Sequence, residues 1–356
     1  MPGFFFALDI SKTVSAISLT RNLENTMTLI TEAFGYADEL FGFQRFPDEV
    51  REASRFPLKN GPALFVPDRD DAYVFRKEHL RIMQFWAAGA EKNILLQGET
   101  GTGKTTLIEQ VAARLNWPTF AVGCHGGLEF QELIGRVTLQ PDGSTGWADG
   151  PLIAAMRNGG IFLLDEMNFL KPEVAGGLNT VLQATSYTIP ETGETIWAHQ
   201  DFRIAATGNA MDGVGKGAYR GTQTTNIALL SRFSLGIRVA YMSMSDEQKM
   251  IEAKAPGISE KVAAYLAEVA DMARKSHADG VLKAPLSPRE TIACARRARA
   301  FSGNTTGDAA MQAQCAAMAA SLEMTFLFRW APEERQEFMR AATSVAKRMG
   351  LPIVLE

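Results

Sequence analysis

The residues most able to do chemistry are Gly98-Glu99-Thr100-Gly101-Thr102-Gly103-Lys104-Thr105, which match G-x-x-x-x-G-K-[ST] in full. In such a segment glycines let the backbone fold tightly, so that successive N–H groups point at one anion, helped by the positive end of the following helix. Lys104 can then reach the outer phosphates of a nucleotide, and the Thr105 hydroxyl can ligate Mg²⁺. Candidate nucleotide contacts run from Gly98 through Thr106. A chance Gly/Thr-rich turn is the alternative. The context argues against it, because a strand-like run at Asn93–Gln97 precedes the segment and a helical run at Thr105–Leu115 follows it.

A second group is Asp165-Glu166, which ends the all-apolar run Ile161–Leu164. A buried strand that delivers acids to its carboxyl edge places them where open α/β sheets bind ligands. Asp165 is the expected Mg²⁺ partner, through water, and Glu166 the residue that orients and polarises an attacking water. Two adjacent acids elsewhere would read as a solvated turn. Asn209 ends another core run, Ala205–Asn209, and can bond the last phosphate or the water; the bland reading is a Gly-Asn turn. Arg232, before the last core run, is placed to reach a neighbouring subunit's phosphate, the alternative being a surface ion pair. Arg220 and Arg238 are weaker candidates for that role. Arg289 follows Ser287-Pro288 at a helix start, and can bend over bound nucleotide.

These residues require elements to hold them. Lys77–Ala90 has helical spacing, and strand-like runs at 93–97, 119–123, 161–164, 202–207 and 235–240 alternate with helical ones. That alternation means βαβ units and a parallel, doubly wound sheet. From Ser245, read as an N-cap before Asp246 and Glu247, the chain becomes helical over about 246–255, 259–276, 287–301, 307–329 and 333–348. Two hairpins interrupt the core, one turning at Pro141-Asp142-Gly143 and one within Tyr187–Trp197. They are natural levers on a substrate, or else inert packing. Residues 1–65 read as a partly irregular leader, with a short helix over Thr26–Tyr36 and then a stretch punctuated by Pro47, Pro57, Gly61, Pro62 and Pro67. The expected organisation is thus a leader at 1–65, a core at 66–243 and an α-helical unit at 244–356.

Composition limits the function. The chain has 356 residues, 46% hydrophobic and 21% charged, at a formal charge of −4, which excludes disorder as the main state and a generic nucleic-acid coat. No apolar run approaches the ~18 residues of a membrane span, and a cytoplasmic protein is expected. Three scattered cysteines and four distant histidines form no metal-ligand or disulfide pattern.

Together these motifs resemble AAA+ ATPases of the MoxR-type branch. The branch pattern appears as Leu133-Ile134-Gly135, Gly150-Pro151-Leu152 and Gly159–Glu166. Within the branch, the stretch from Ile108 to Pro118, Tyr219 with Gly221-Thr222-Gln223, and Ser287-Pro288-Arg289 are similar to CobS-like proteins, the group named for the cobaltochelatase ATPase subunit. The likeness covers about residues 65–300. It implies an α/β P-loop AAA+ core with a five-stranded parallel sheet, two hairpin inserts and an α-helical lid. It further implies ATP hydrolysis with Mg²⁺, held by Thr105 and Asp165. Catalysis would involve Lys104, Glu166, Asn209 as sensor 1, Arg232 as a finger in trans and Arg289 as sensor 2. The implied assembly is a homo-oligomer, a hexameric ring, acting on a partner that often carries a von Willebrand factor A domain. Met167-Asn168-Phe169 and Arg220 depart from the CobS-like pattern. A paralogue acting on another partner is therefore expected first, a true cobaltochelatase subunit second, and a DNA-associated motor third.

Overall fold

The computed structural model describes residues 34–58, 64–139, 141–209 and 227–355. In chain order these form β1 (Phe34–Tyr36), α1 (Ala37–Phe41), α2 (Asp48–Ala53), β2 (Arg55–Pro57), α3 (Lys77–Ala88), β3 (Asn93–Gly98), α4 (Lys104–Leu115) and β4 (Thr119–Gly123). Next come α5 (Phe130–Ile134), the hairpin β5 (Gly135–Leu139) and β6 (Thr145–Asp149), α6 (Pro151–Asn158), β7 (Gly160–Asp165) and α7 (Pro172–Gln183). The second hairpin, β8 (Ser186–Thr188) and β9 (Thr195–Trp197), leads to β10 (Phe202–Asn209), α8 (Ile227–Leu230) and β11 (Leu235–Arg238). Helices α9 (Met244–Lys254), α10 (Glu260–Ala278), α11 (Pro288–Phe301), α12 (Gly307–Ala316), α13 (Met318–Thr325) and α14 (Pro332–Arg348) complete the chain.

Five strands pair in parallel in the order β11-β3-β10-β7-β4. Alternation along β7 explains the two-sided core. Phe162 and Leu164 join Leu152, Met156 and Leu178 on one face, while Ile161 and Leu163 join Ile108, Val111 and Trp86 on the other. An unbroken apolar run is what a strand covered on both faces needs. The lid helices close over a separate cluster around Tyr265, Leu266, Phe326 and Phe338.

Several expectations need correction. Phe34–Tyr36 is not the end of a helix but a strand, paired antiparallel with Arg55–Pro57; residues 26–33 lie outside the described residues. Between Pro47 and Pro57 the chain forms α2, with Pro47 at its N-cap and two first-turn acids supporting it. Phe41 and Phe56 are buried with Phe75 in the same cluster as Ile94 and Leu96. Ser243, not Ser245, caps α9, accepting a bond from the Asp246 amide at 3.2 Å. The single helix expected over 307–329 is split at Ala317 into α12 and α13, followed by a 3-10 turn at Leu327–Arg329.

Both expected hairpins form, and one side chain joins them. Arg157 of α6 donates to Asp149 in β6 at 2.8 Å and to both Glu194 oxygens beside β9 at 2.7 and 3.0 Å. These hydrogen bonds hold the Glu194 carboxyl below its usual range.

Candidate functional site

The C-terminal end of β3 sets up the phosphate loop. Gly98 passes so close to the Val239 carbonyl that a Cβ there would sit 2.1 Å from its oxygen. Gly101 and Gly103 adopt φ of 78° and 89°, a region that costs other residues about 1–2 kcal/mol. The loop is closed by Thr102, whose hydroxyl donates to the Glu99 carbonyl at 2.8 Å. Gly103 is the N-cap of α4, so the amides that open this helix face the loop.

Lys104 is the first residue of α4 and is buried. Its Nζ donates to the Gly98 and Glu99 carbonyls, both at 2.9 Å, and to Asn209 Oδ1 at 3.4 Å. Burial pushes the amine below its usual range, while Asp165, Glu166 and Glu99 oppose that shift. One residue on, Thr105 Oγ1 donates to Asp165 Oδ1 at 2.6 Å. Thr207 Oγ1 donates to the same oxygen at 2.5 Å and accepts from the Glu166 amide at 3.0 Å. Glu166 is exposed and holds φ 59° and ψ 45°, unusual for a residue with a Cβ. The parallel register explains the convergence: Asn209 is level with Gly98, and Ala206 with Leu164, so Thr207 falls beside Asp165.

Lys104, Thr105, Asp165, Glu166 and Asn209 thus meet at one sheet edge. The donor set of a threonine hydroxyl and a carboxylate suits a hard cation such as Mg²⁺, which keeps most of its waters. Arg289 is exposed in the first turn of α11, on the lid. Ser287, just before that helix, lies so close to Gly101 that a Cβ on the glycine would come within 2.5 Å of the serine Cβ.

Arg232 is not brought to this edge. Its carbonyl accepts from Asn93 Nδ2 at 3.0 Å, at the first residue of β3, whereas the phosphate loop leaves the last. Five strand steps separate them, about 16 Å. Its side chain is half-buried, with Nη1 donating to Ser231 at 3.2 Å. Arg238 ends β11 level with Gln97, and Arg220 lies outside the described residues.

Two residues were assigned no role from the sequence. Thr207 sits inside the Ala205–Asn209 run, and its only signal is a hydroxyl at a fully buried strand position. Asn168, also buried, accepts the Asn209 amide on Oδ1 at 3.3 Å. It falls within the stretch that departs from the CobS-like pattern, which marks its place but not its contact.

Comparison with known proteins gives the family. The family model for the AAA domain, dynein-related subfamily, matches residues 93–233. The aerobic cobaltochelatase subunit CobS of Sinorhizobium sp is 30% identical over 350 residues, covering 94% of this chain and 96% of that one. An uncharacterized protein of Staphylococcus haemolyticus is 40% identical over 156 residues, 42% of this chain and 56% of its own length. A solved structure from Cytophaga hutchinsonii, a putative ATPase by its own description, superposes over 73% of this chain and 79% of that one, at 18% identity and a TM-score of 0.39. Fold and site together define a P-loop ATPase of the AAA+ class. Near-complete alignment places it more narrowly: the chain belongs to the AAA+ ATPase family that includes CobS. Among the described residues no helix is long and apolar enough to cross a membrane.

Proposed function

We propose that the chain hydrolyses ATP within a homo-oligomeric ring, with six subunits expected, and uses the cycle to remodel or activate a partner protein, one with a von Willebrand factor A domain. The observation that carries this reading is the separation of Arg232 from the edge that holds Lys104, Asp165 and Asn209. In this reading the Lys104 ammonium exchanges its loop carbonyls for the outer phosphates of ATP. Thr105 and Asp165 would hold Mg²⁺, which supplies neutralisation of phosphate charge when bound. Glu166, exposed at the strand end, takes the proton of the attacking water, and Asn209 holds the last phosphate or that water. Arg289 covers the phosphates from the lid. Arg232 reaches the site of the neighbouring subunit, a role worth about 10³–10⁵ in rate in other nucleotide hydrolases.

A mixing experiment tests this assignment. Lys104→Ala abolishes turnover, and Glu166→Gln binds ATP but scarcely hydrolyses it. Arg232→Ala chains are inactive alone and regain activity when mixed with Glu166→Gln chains, because each mixed interface of the right polarity pairs an intact Glu166 with an intact Arg232. No gain on mixing would remove Arg232 from the neighbour's site. Capture of bound protein on the Glu166→Gln variant identifies the partner.

The whole-length similarity to CobS supports a second reading with equal force: the ATPase subunit of a cobaltochelatase in cobalamin biosynthesis. Cobalt insertion into a corrin precursor by this chain with its partner subunits decides between them. A nucleic-acid motor is not favoured, because the two hairpins, 135–149 and 186–197, hold four acids against the single base Arg136.

A further inference from the structure

The joint between sheet and lid carries contacts that the roles above do not use. Beyond β11 the chain passes Val239 and reaches Tyr241, whose hydroxyl donates to the Thr100 carbonyl of the phosphate loop at 2.9 Å. The Arg274 guanidinium, from α10, lies over the Tyr241 ring with Cζ 4.1 Å from its centroid. Its edges are committed elsewhere. Nη1 and Nη2 donate to the Glu247 carboxylate of α9 at 2.5 and 2.8 Å, and Nε donates to the Leu286 carbonyl at 2.8 Å. Thr291 of α11 adds a bond to Glu247 at 3.1 Å. Glu247 is fully buried, so this pairing is obligatory for its charge.

The consequence is a stiff cluster. A planar guanidinium with a bidentate carboxylate and a third, carbonyl partner has one geometry, which an ammonium cannot reproduce. It fixes the turn 286–291, and that turn both presents Arg289 and lays Ser287 against Gly101. The link from this cluster to the phosphate loop through Tyr241 is of another kind: a neutral hydrogen bond at a partly exposed position. Bonds of that kind form and break at small cost. A rigid arm that meets the loop through Ser287 and through a reversible bond from Tyr241 can register where the lid stands.

We propose that Tyr241 is a positioning residue for ATP hydrolysis: by tying the Thr100 carbonyl to the Arg274–Glu247 cluster, it sets Arg289 relative to the phosphate loop. The proposal rests on the assignment of Arg289 as a phosphate contact. The test uses the assembled protein and ATP with Mg²⁺, with affinity read by calorimetry under Glu166→Gln to stop turnover. Tyr241→Phe keeps the ring under Arg274 and removes only the hydroxyl. It should weaken ATP about two- to tenfold while leaving the Tm without nucleotide unchanged. Tyr241→Ala also strips the ring and should lower both. Arg289→Ala should weaken ATP too. Adding Tyr241→Phe to it should then cost little more, since the two substitutions act on one interaction. If Arg289→Ala binds ATP as the parent does, the assignment of Arg289 fails and the proposal with it. If Arg289→Ala weakens binding but Tyr241→Phe has no effect, multiplies independently or merely lowers the Tm, the positioning role alone is overturned.

Discussion

Replacing Thr207 by valine probes the arrangement of the two acids without touching either. The side chain is fully buried, and valine keeps its branched shape with a methyl in place of the hydroxyl. What disappears is the hydroxyl, which donates to Asp165 at 2.5 Å and accepts from the Glu166 amide at 3.0 Å. A hydrogen bond to a charged group contributes about 1.5–3 kcal/mol, and a donor left without its partner costs about 1–3 kcal/mol. Taking the lower ends, ~2.5 kcal/mol expressed only in the transition state corresponds to ~70-fold in rate. Glu166 holds a left-handed conformation, an arrangement that costs about 1–3 kcal/mol and needs support from its surroundings. Without the Thr207 acceptor the Glu166 peptide can relax, and its carboxylate leaves the direction of the attacking water. Steady-state turnover at saturating ATP should therefore fall by one to two orders of magnitude in Thr207→Val, with ATP affinity nearly kept, while Thr207→Ser retains most activity. Two results refute the reasoning: wild-type turnover in a folded Thr207→Val, or a Thr207→Ser as impaired as the valine.

Other perturbations give separate tests. Gly101→Ala combines a φ of 78° with a 2.5 Å approach to Ser287, so loop and lid cannot both keep their places; ATP affinity measured by calorimetry should drop about tenfold or more. Arg157→Ala releases Asp149 and Glu194 together, and because the pairs are half-exposed it should cost less than about 1 kcal/mol of stability. Amide exchange in residues 186–197 should nevertheless quicken, and unchanged exchange would mean the hairpins are not held by this arginine. All three cysteines are buried, and burial pushes the Cys124 and Cys294 thiols up to about 12, so iodoacetamide at pH 8 should label the folded chain slowly and the denatured chain at all three positions.

What the sequence made legible follows from how local each constraint is. The phosphate loop can be read because its requirements are short-range: φ above zero at Gly101 and Gly103, a lysine at the helix start and a hydroxyl after it. Strand β7 can be read because burial on both faces leaves no polar position to hide its period. Thr207 escaped because a β-branched residue in a strand is ordinary, and its meaning depends on register with β7, a strand about forty residues earlier. Packing of residues 34–58 escaped for a similar reason, since only the tertiary meeting of Phe41, Phe56 and Phe75 distinguishes them from a polar, proline-marked leader. The break at Ala317 has no glycine or proline to announce it. Further on, α13 stops where Phe326 turns into contact with Trp330 and Phe338.

The placement of Arg232 bears on assembly as well as chemistry. It sits near the beginning of β3 and the phosphate loop at its end, so one chain does not bring the two together. A contact that joins the loop of one chain to the arginine of the next is then head-to-tail, and such contacts propagate until a rotation closes them into a ring. Turnover in that arrangement belongs to interfaces rather than chains. Specific activity should consequently fall on dilution through the assembly range, with size measured in parallel by analytical ultracentrifugation, and Arg232→Ala should show low activity at every concentration. Constant activity per chain down to a demonstrated monomer would place the complete site within one subunit and remove Arg232 from it.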